Sequence, residues 1–342
     1  MSTPHPGTPA ERRPVIALDL GGTKIAAALV AADGTLSGRS TRPTPGSAGP
    51  TAVLDALTDA VADTIAAAGR STDAVRAVGV ASPGVVDPVS GTVRAATTQL
   101  RDWTGTRLGP ELAARTGLPV ACDNDVRAAA GAEPASLASP SASFLLLFVG
   151  TGVGGAVAVE GRMLHGHTGI AGHLGHLPVP EADGLLCTCG AIGHLEAVAA
   201  GPGITALYER RSGRGADRLE TVVRRAESGD AFAAEAIETG ARAAGRVLGG
   251  LANAFGPDAV VVGGGVAGIG ERYWVPLRAA FAAERMAPLS GLVPRPPRAG
   301  SDTALLGAAA LADIAPLHRP PAAATPLPIP VAAAAPAEEH AS

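Results

Sequence analysis

Several residue types are scarce in this chain of 342 residues. It has one lysine, Lys24, two asparagines, Asn124 and Asn253, and 3% aromatic residues. Alanine and arginine fill most positions of loose demand, as a GC-rich coding bias would have it. A rare residue that survives is either chance or chemically needed. Three cysteines, two of them in Cys187-Thr188-Cys189, do not make a disulfide framework. No apolar run reaches the roughly 18 residues of a membrane span, and the opening MSTPHPGTPAERRP lacks an apolar signal-peptide core. No membrane role and a cytoplasmic location are therefore expected. A net charge of −4 supplies no basic field for nucleic acid.

What is present describes a globular chain, with 46% hydrophobic and 17% charged residues. Glycine and proline together stay below the roughly 25–30% that marks disorder. The length suits about two domains of roughly 150 residues. Residues 1–13 and 318–342 read as loose, proline-bearing tails. Between them, Pro14–Leu20 is an apolar run ending in Gly-Gly, a strand and a tight turn, and Ile25–Val30 and Leu36–Arg39 continue as strands. Thr51–Ala68 has helical periodicity, Ala77–Ala81 reads as a strand, and Asp125–Glu133 as a helix. Phe144–Val149 and Gly155–Val159 then repeat the opening pattern, and the long helix Ala231–Ala254 precedes a strand at Ala259–Val262. A glycine-turn hairpin near residue 20 and another near residue 152 predict a duplicated α/β fold with a cleft between the halves.

The motifs that carry chemistry sit at those turns. In Asp19-Leu20-Gly21-Gly22-Thr23-Lys24 the glycines let backbone N–H groups approach a phosphate, and Thr23 and Lys24 add donors. Asp19 could hold Mg²⁺ through water. The spacing is neither GxxxxGK[ST] nor GxGxxG, and an ordinary hairpin turn accounts for it equally well in isolation. Gly150-Thr151-Gly152-Val153-Gly154 repeats the pattern, and Gly263-Gly264-Gly265 after a Val-rich strand would pack against a flat base or ribose. Three such loops at strand ends favour a nucleotide held across a cleft.

Asp123-Asn124-Asp125 precedes a helix, so a side chain there is either an N-cap or part of a site. In the second case one aspartate acts as general base toward a hydroxyl and Asn124 orients the substrate. Five of the eight histidines (165, 167, 173, 176 and 194) and two cysteines fall between residues 165 and 194. His176, Cys187, Cys189 and His194 make a tetrahedral Cys₂His₂ zinc set, closed as a structural site would be. Its CxC spacing is tighter than a zinc finger's CxxC, and a metal-free histidine-rich loop is the alternative.

Together, DLGGTK, GTGVGG, the Gly166-to-His176 spacing and the CxCGxxGxxE block resemble the ROK family (repressor, open reading frame, kinase), a branch of the actin-like sugar kinases. The resemblance runs from Val15 to about Leu311. It implies an actin-like (ribonuclease H-like) α/β fold of two lobes. Residues 14–125, with a C-terminal helix in 302–317, form the smaller lobe, and 126–301 the larger, which carries the zinc loop. It further implies an ATP-dependent kinase for the 6-hydroxyl of a hexose or hexosamine. Asp125 would be the catalytic base, and Gly84, Thr98, Asn124, His173, His176 and Glu196 the sugar contacts, with His176 also on zinc. ATP phosphates and Mg²⁺ would lie on Asp19, Gly21, Gly22, Thr23, Lys24, Gly150, Thr151, Gly152 and Gly154, with Gly263, Gly264 and Gly265 against the base or ribose. A homodimer, or a tetramer of two dimers, is implied as the assembly.

Some members are repressors with an N-terminal helix-turn-helix domain, and about 13 residues before the first strand leave no room for one here. A sugar sensor without catalysis is the remaining non-enzymatic alternative, and Asp125 with both phosphate loops argues against it. Two positions depart from the common family pattern. His194 stands where the third zinc cysteine usually is, an exchange that zinc tolerates. His173 stands where glucose-phosphorylating members carry a glutamate. A carboxylate accepts from two hydroxyls, whereas a neutral imidazole accepts once. That favours a 2-acetamido sugar, N-acetylmannosamine before N-acetylglucosamine, with glucose as the alternative.

Overall fold

The computed structural model describes residues 13–96, 99–133, 139, 141–298 and 300–321. The expected tails therefore lie outside the described residues except at their inner ends, and so does Thr98. The chain opens with the antiparallel strands β1 (Val15–Leu20), β2 (Lys24–Val30) and β3 (Leu36–Pro43). Next come α1 (Pro50–Ala67), β4 (Ala77–Ser82), the hairpin β5 (Val85–Asp87) and β6 (Thr92–Ala95), α2 (Leu108–Thr116), β7 (Val120–Asn124) and α3 (Asp125–Ala130). The second half begins with β8 (Phe144–Val149), β9 (Val153–Val159) and β10 (Arg162–Met163). It continues through α4 (Glu196–Ala199), α5 (Gly201–Ser212), α6 (Leu219–Glu227), α7 (Ala231–Phe255), β11 (Ala259–Gly263) and α8 (Glu271–Glu284) to α9 (Thr303–Ile314).

Besides the two-stranded β5-β6 hairpin, two larger sheets result among the described residues, with strand orders β3-β2-β1-β4-β7 and β10-β9-β8-β11. In each, a strand, a glycine turn and an antiparallel partner form one side, and a parallel strand joins the other side. The expected duplication is thus present, and the fold is the actin-like α/β one. β1, β4 and β7 are buried along almost their whole length, because helices cover both faces of their sheet. The edge strand β3 alternates half-buried and exposed positions. The ends of α7 are set locally: Asp230 accepts from the Phe232 and Ala233 N–H groups, and Gly256 closes the helix at φ 55°. Among the described residues, no helix is long and apolar enough to cross a membrane.

Helix α9 leaves the second half and returns to the first sheet, burying Leu305, Ala308, Leu311 and Ala312 against Ala17, Ala77, Ala81 and Ala121. Small residues on both sides bring the backbones close. A Cβ placed on Gly79 would lie 1.8 Å from the Ala308 carbonyl oxygen, and one on Gly307 would lie 2.1 Å from that of Ala128. Neither neighbour can swing aside as a side chain would. Gly79→Ala is therefore expected to cost about 1–3 kcal/mol, read as a lower urea midpoint at unchanged slope.

Two boundaries differ in detail from the sequence reading. His318, set at the start of the tail, is seated in the fold: its backbone exchanges hydrogen bonds with Val120 and its Nε2 donates to the Pro88 carbonyl. Helix α3 stops at Ala130 and packs on α9 and β4 of the first half as well as on β8 and β9 of the second.

Candidate functional site

Strand β7 hands directly to α3 at Asp123-Asn124-Asp125, which puts three polar side chains at one strand end. Asn124 is the N-cap. Its Oδ1 accepts from the Val126 and Arg127 N–H groups, and its Nδ2 donates to the Gly84 carbonyl (2.9 Å) and to Asp125 Oδ1 (2.8 Å). All of its hydrogen-bonding capacity is thus engaged within the protein, so the capping alternative is realised. Gly84 sits at φ 94°, where a Cβ would strike the Ala95 carbonyl, and its own carbonyl is held by Asn124.

Asp125 is the first residue of α3 and half-buried. Burial pushes its carboxyl up to about 6, with the negative charge of Asp19 adding to the rise against hydrogen bonds from Val126 and Asn124. Asp19 is itself raised by burial, countered by Lys24. The first glycine loop therefore lies beside Asp125: Gly21 N–H closes on the Lys24 carbonyl, and Thr44 Oγ1 donates to the Gly21 carbonyl.

Asp123 points the other way, into the protein. It accepts from Arg127 Nε (2.8 Å) and from His165 Nε2 (2.7 Å). Burial alone would raise its carboxyl, but His165 and Arg127 outweigh that and hold it below the usual carboxylate range. Arg127 was not singled out from the sequence. Apart from Asp123, its partners are carbonyls some 40 residues away, which no local pattern announces.

The segment from His165 to His176 crosses toward this strand end. His173 Nδ1 lies 2.9 Å from the Ile170 carbonyl. A carbonyl only accepts, so Nδ1 carries the proton and Nε2 keeps a lone pair. Burial, then the charge of Arg127, lowers the His173 pKa, which favours the neutral ring. Glu196, at the start of α4, is buried; its Oε2 accepts from Val153 N–H (2.8 Å) and its Oε1 from Thr188 Oγ1. It thereby joins the second glycine loop to the cysteine-bearing loop.

In that loop, His176, Cys187, Cys189 and His194 have ligand atoms all within 4.8 Å of one another. Cys187 Sγ is 3.5 Å from His176 Nδ1, and Cys189 Sγ is 3.2 Å from His194 Nδ1. A tetrahedral zinc ion with ordinary Zn–S and Zn–N bonds gives S···N edges of roughly 3.6 Å. The donor set fits zinc in number, type and spacing. Bridges between Pro178 and His194 and between Leu186 and Ile192 hold the loop in a short hairpin that presents the four side chains together.

The second and third glycine loops meet at a cavity of about 550 Å³, lined by Gly150, Thr151, Gly265 and Val266 together with residues of α5 and α6. Gly264 stands at φ 90° with its Cα against the Val149 carbonyl, and Gly265 opens on the cavity. The wall opposite is built from Thr205, Glu209, Asp217 and Arg218, which the sequence reading missed. Their segments carry no motif, only helical periodicity. The first glycine loop does not line this cavity; it stands across the cleft by Asp125. The shape suits a nucleoside on the second half with its phosphates directed toward the first.

Known proteins resemble this arrangement over most of its length. The ROK family model matches residues 15–314. An N-acetylmannosamine kinase of Shigella flexneri is 37% identical over 311 residues, 87% of this chain and 98% of the relative. An N-acetylmannosamine kinase of Escherichia coli O139:H28 is 37% identical over 310 residues, with 87% and 97% covered. Among solved structures, a ROK hexokinase from Thermus thermophilus superposes with a TM-score of 0.76 at 35% identity, covering 87% of this chain and 97% of that one. A ROK family glucokinase from Streptomyces griseus in complex with glucose and AMPPNP superposes at 0.73 with 30% identity, covering 88% and 99%.

Proposed function

The chain belongs to the ROK family, and on that footing we propose that it is an ATP-dependent kinase for the 6-hydroxyl of a 2-acetamido hexose, N-acetylmannosamine before N-acetylglucosamine. The observation that carries the reading is the Asp125 carboxyl at the cleft, raised to about 6 and held in place by Asn124 and the Val126 N–H. A base of that strength is ionised at neutral pH and still able to take a proton as the hydroxyl attacks.

Asp125 receives the proton of the 6-hydroxyl. Asn124 keeps Asp125 and the Gly84 elbow in register and acts as a positioning residue, while Gly84 borders the sugar. The backbone N–H groups of the two glycine loops, with Thr23, Lys24 and Thr151, hold the triphosphate, and Gly263 to Gly265 back the nucleoside. Mg²⁺ near Asp19 would neutralise charge on the phosphates, which is most of what phosphoryl transfer requires beyond positioning. Zinc on His176, Cys187, Cys189 and His194 would fix the sugar-binding loop. His176 would offer the metal Nδ1, the atom that faces Cys187 Sγ, and keep Nε2 for a sugar hydroxyl.

His173 supports the choice of sugar. With its proton committed to Ile170, Nε2 offers one acceptor, suited to a single hydroxyl or to the N–H of an acetamido group. The named N-acetylmannosamine kinases at 37% identity favour the same sugar, and the Streptomyces griseus glucokinase keeps glucose as the second reading. A coupled ADP-release assay on N-acetylmannosamine, N-acetylglucosamine, glucose, mannose and fructose is the test. The 2-acetamido sugars are expected to lead in kcat/KM, and His173→Glu to move the ratio toward glucose by about tenfold. Dominance of glucose in the wild type would overturn the specificity and leave the mechanism standing. A cytoplasmic homodimer is the accompanying proposal, for which light scattering of the purified protein is the check.

A further inference from the structure

We infer that Arg127 is a positioning residue for the sugar, locking the turn that carries His173 to the strand end that carries Asp125. The inference rests on the kinase reading above. Arg127 is 1% exposed. A guanidinium so deeply buried is costly unless every donor is used. Here Nε donates to Asp123 Oδ1, Nη2 to the Val86 carbonyl (2.9 Å), and Nη1 to the carbonyls of Gly169 (2.9 Å) and Ala171 (3.2 Å). One side chain thus joins β7, the β5 hairpin beside Gly84 and the 165–173 turn.

Apart from the close approach of Gly169 to Val86 and of Gly172 to Gly155, that turn has few packing contacts. Gly166, His167, Thr168 and Ile170 are exposed, so apolar burial contributes little to its placement. Internally it is closed: Ala171 N–H donates to the His165 carbonyl, and His173 donates to Ile170 through both N–H and Nδ1. It therefore moves as a unit, fixed by two tethers that share Asp123, one from Arg127 and one from His165 Nε2. Asp123 is two residues before Asp125. Loosening the tethers displaces His173 relative to the base without touching the nucleotide cavity, whose lining shares no residue with the turn. The planar fork reaches four acceptors at once, which a single ammonium cannot do.

Arg127→Lys and His165→Phe separate this role from simple stability. The sugar dissociation constant, measured by calorimetry without ATP, and the two KM values are compared with wild type. For Arg127→Lys the sugar constants are expected to rise about tenfold or more, while the ATP KM stays within about twofold. His165→Phe removes one tether and should move the same constants by about threefold. Wild-type sugar binding in folded variants overturns the inference, as does a rise in the ATP KM that matches the sugar's. If Arg127→Lys does not fold, His165→Phe decides alone by the same criteria. Failure of the kinase reading would show separately, as a wild type that binds a sugar but transfers no phosphate to it; the binding comparison would still judge Arg127.

Discussion

Asp125→Asn is expected to lower kcat by about a hundred- to ten-thousand-fold, the usual weight of a positioned general base, with sugar binding nearly unchanged. The asparagine oxygen can keep the hydrogen bonds from Asn124 Nδ2 and Val126 N–H, so the local frame survives and the proton acceptor does not. The wild-type pH profile gives an independent reading. Transfer needs the ionised carboxylate, so kcat/KM should fall tenfold per unit as pH drops below about 6. The stability sign runs opposite. A carboxyl raised in the folded state gives up its proton more readily in the unfolded chain. Its contribution to stability is therefore lost as pH rises from 3.8 through about 6. Asp125→Asn removes that penalty and should melt higher than wild type at pH 8, by about 1–3 °C, with the difference gone near pH 4. A variant that keeps more than about a tenth of wild-type kcat would remove Asp125 from the role of base.

Loss of the Cys/His cluster should have the second largest effect. Purified protein is expected to carry zinc in about a one-to-one ratio by elemental analysis, and Cys187→Ser to carry none. A structural zinc site contributes folding free energy directly. The variant should therefore melt at least about 10 °C lower and lose sugar affinity more than tenfold, because the same loop carries His176 and leads into Glu196. His194→Cys tests the departure from the family pattern: it should keep the metal and the activity, since a thiolate is an equally good tetrahedral ligand. A metal-free wild type, or a Cys187→Ser protein with unchanged melting and turnover, would reduce the cluster to thiol–imidazole contacts.

The parts legible in the sequence were those whose signal is local. Phe144–Val149 appears as expected because an unbroken apolar run between turns has few alternatives, and α7 because its periodicity extends over 25 residues. The Cys/His cluster was legible because four such side chains in a short span are rare by chance. Helices α5 and α6 line much of the cavity at the second and third glycine loops and had no such mark. Arg127 was invisible for a different reason. Three of its four acceptors are backbone carbonyls, which are the same at every residue and leave no trace in composition. Asn124 was half legible: its position before a helix announced the cap, while the bond to Gly84 exists only once β4 and β7 lie side by side.

The return of α9 to the first sheet also governs the order in which the protein can assemble during synthesis. The strands β1, β4 and β7 are complete by Asn124, yet the helix that covers one of their faces ends at Ile314, about 190 residues later. At roughly 5–20 residues per second, that face stays uncovered on the ribosome for about ten seconds or more. The second half, whose core is drawn from residues 145–292, can close before the first does. A nascent chain stalled short of Thr303 would thus present a row of alanines and valines to whatever chaperone is at hand.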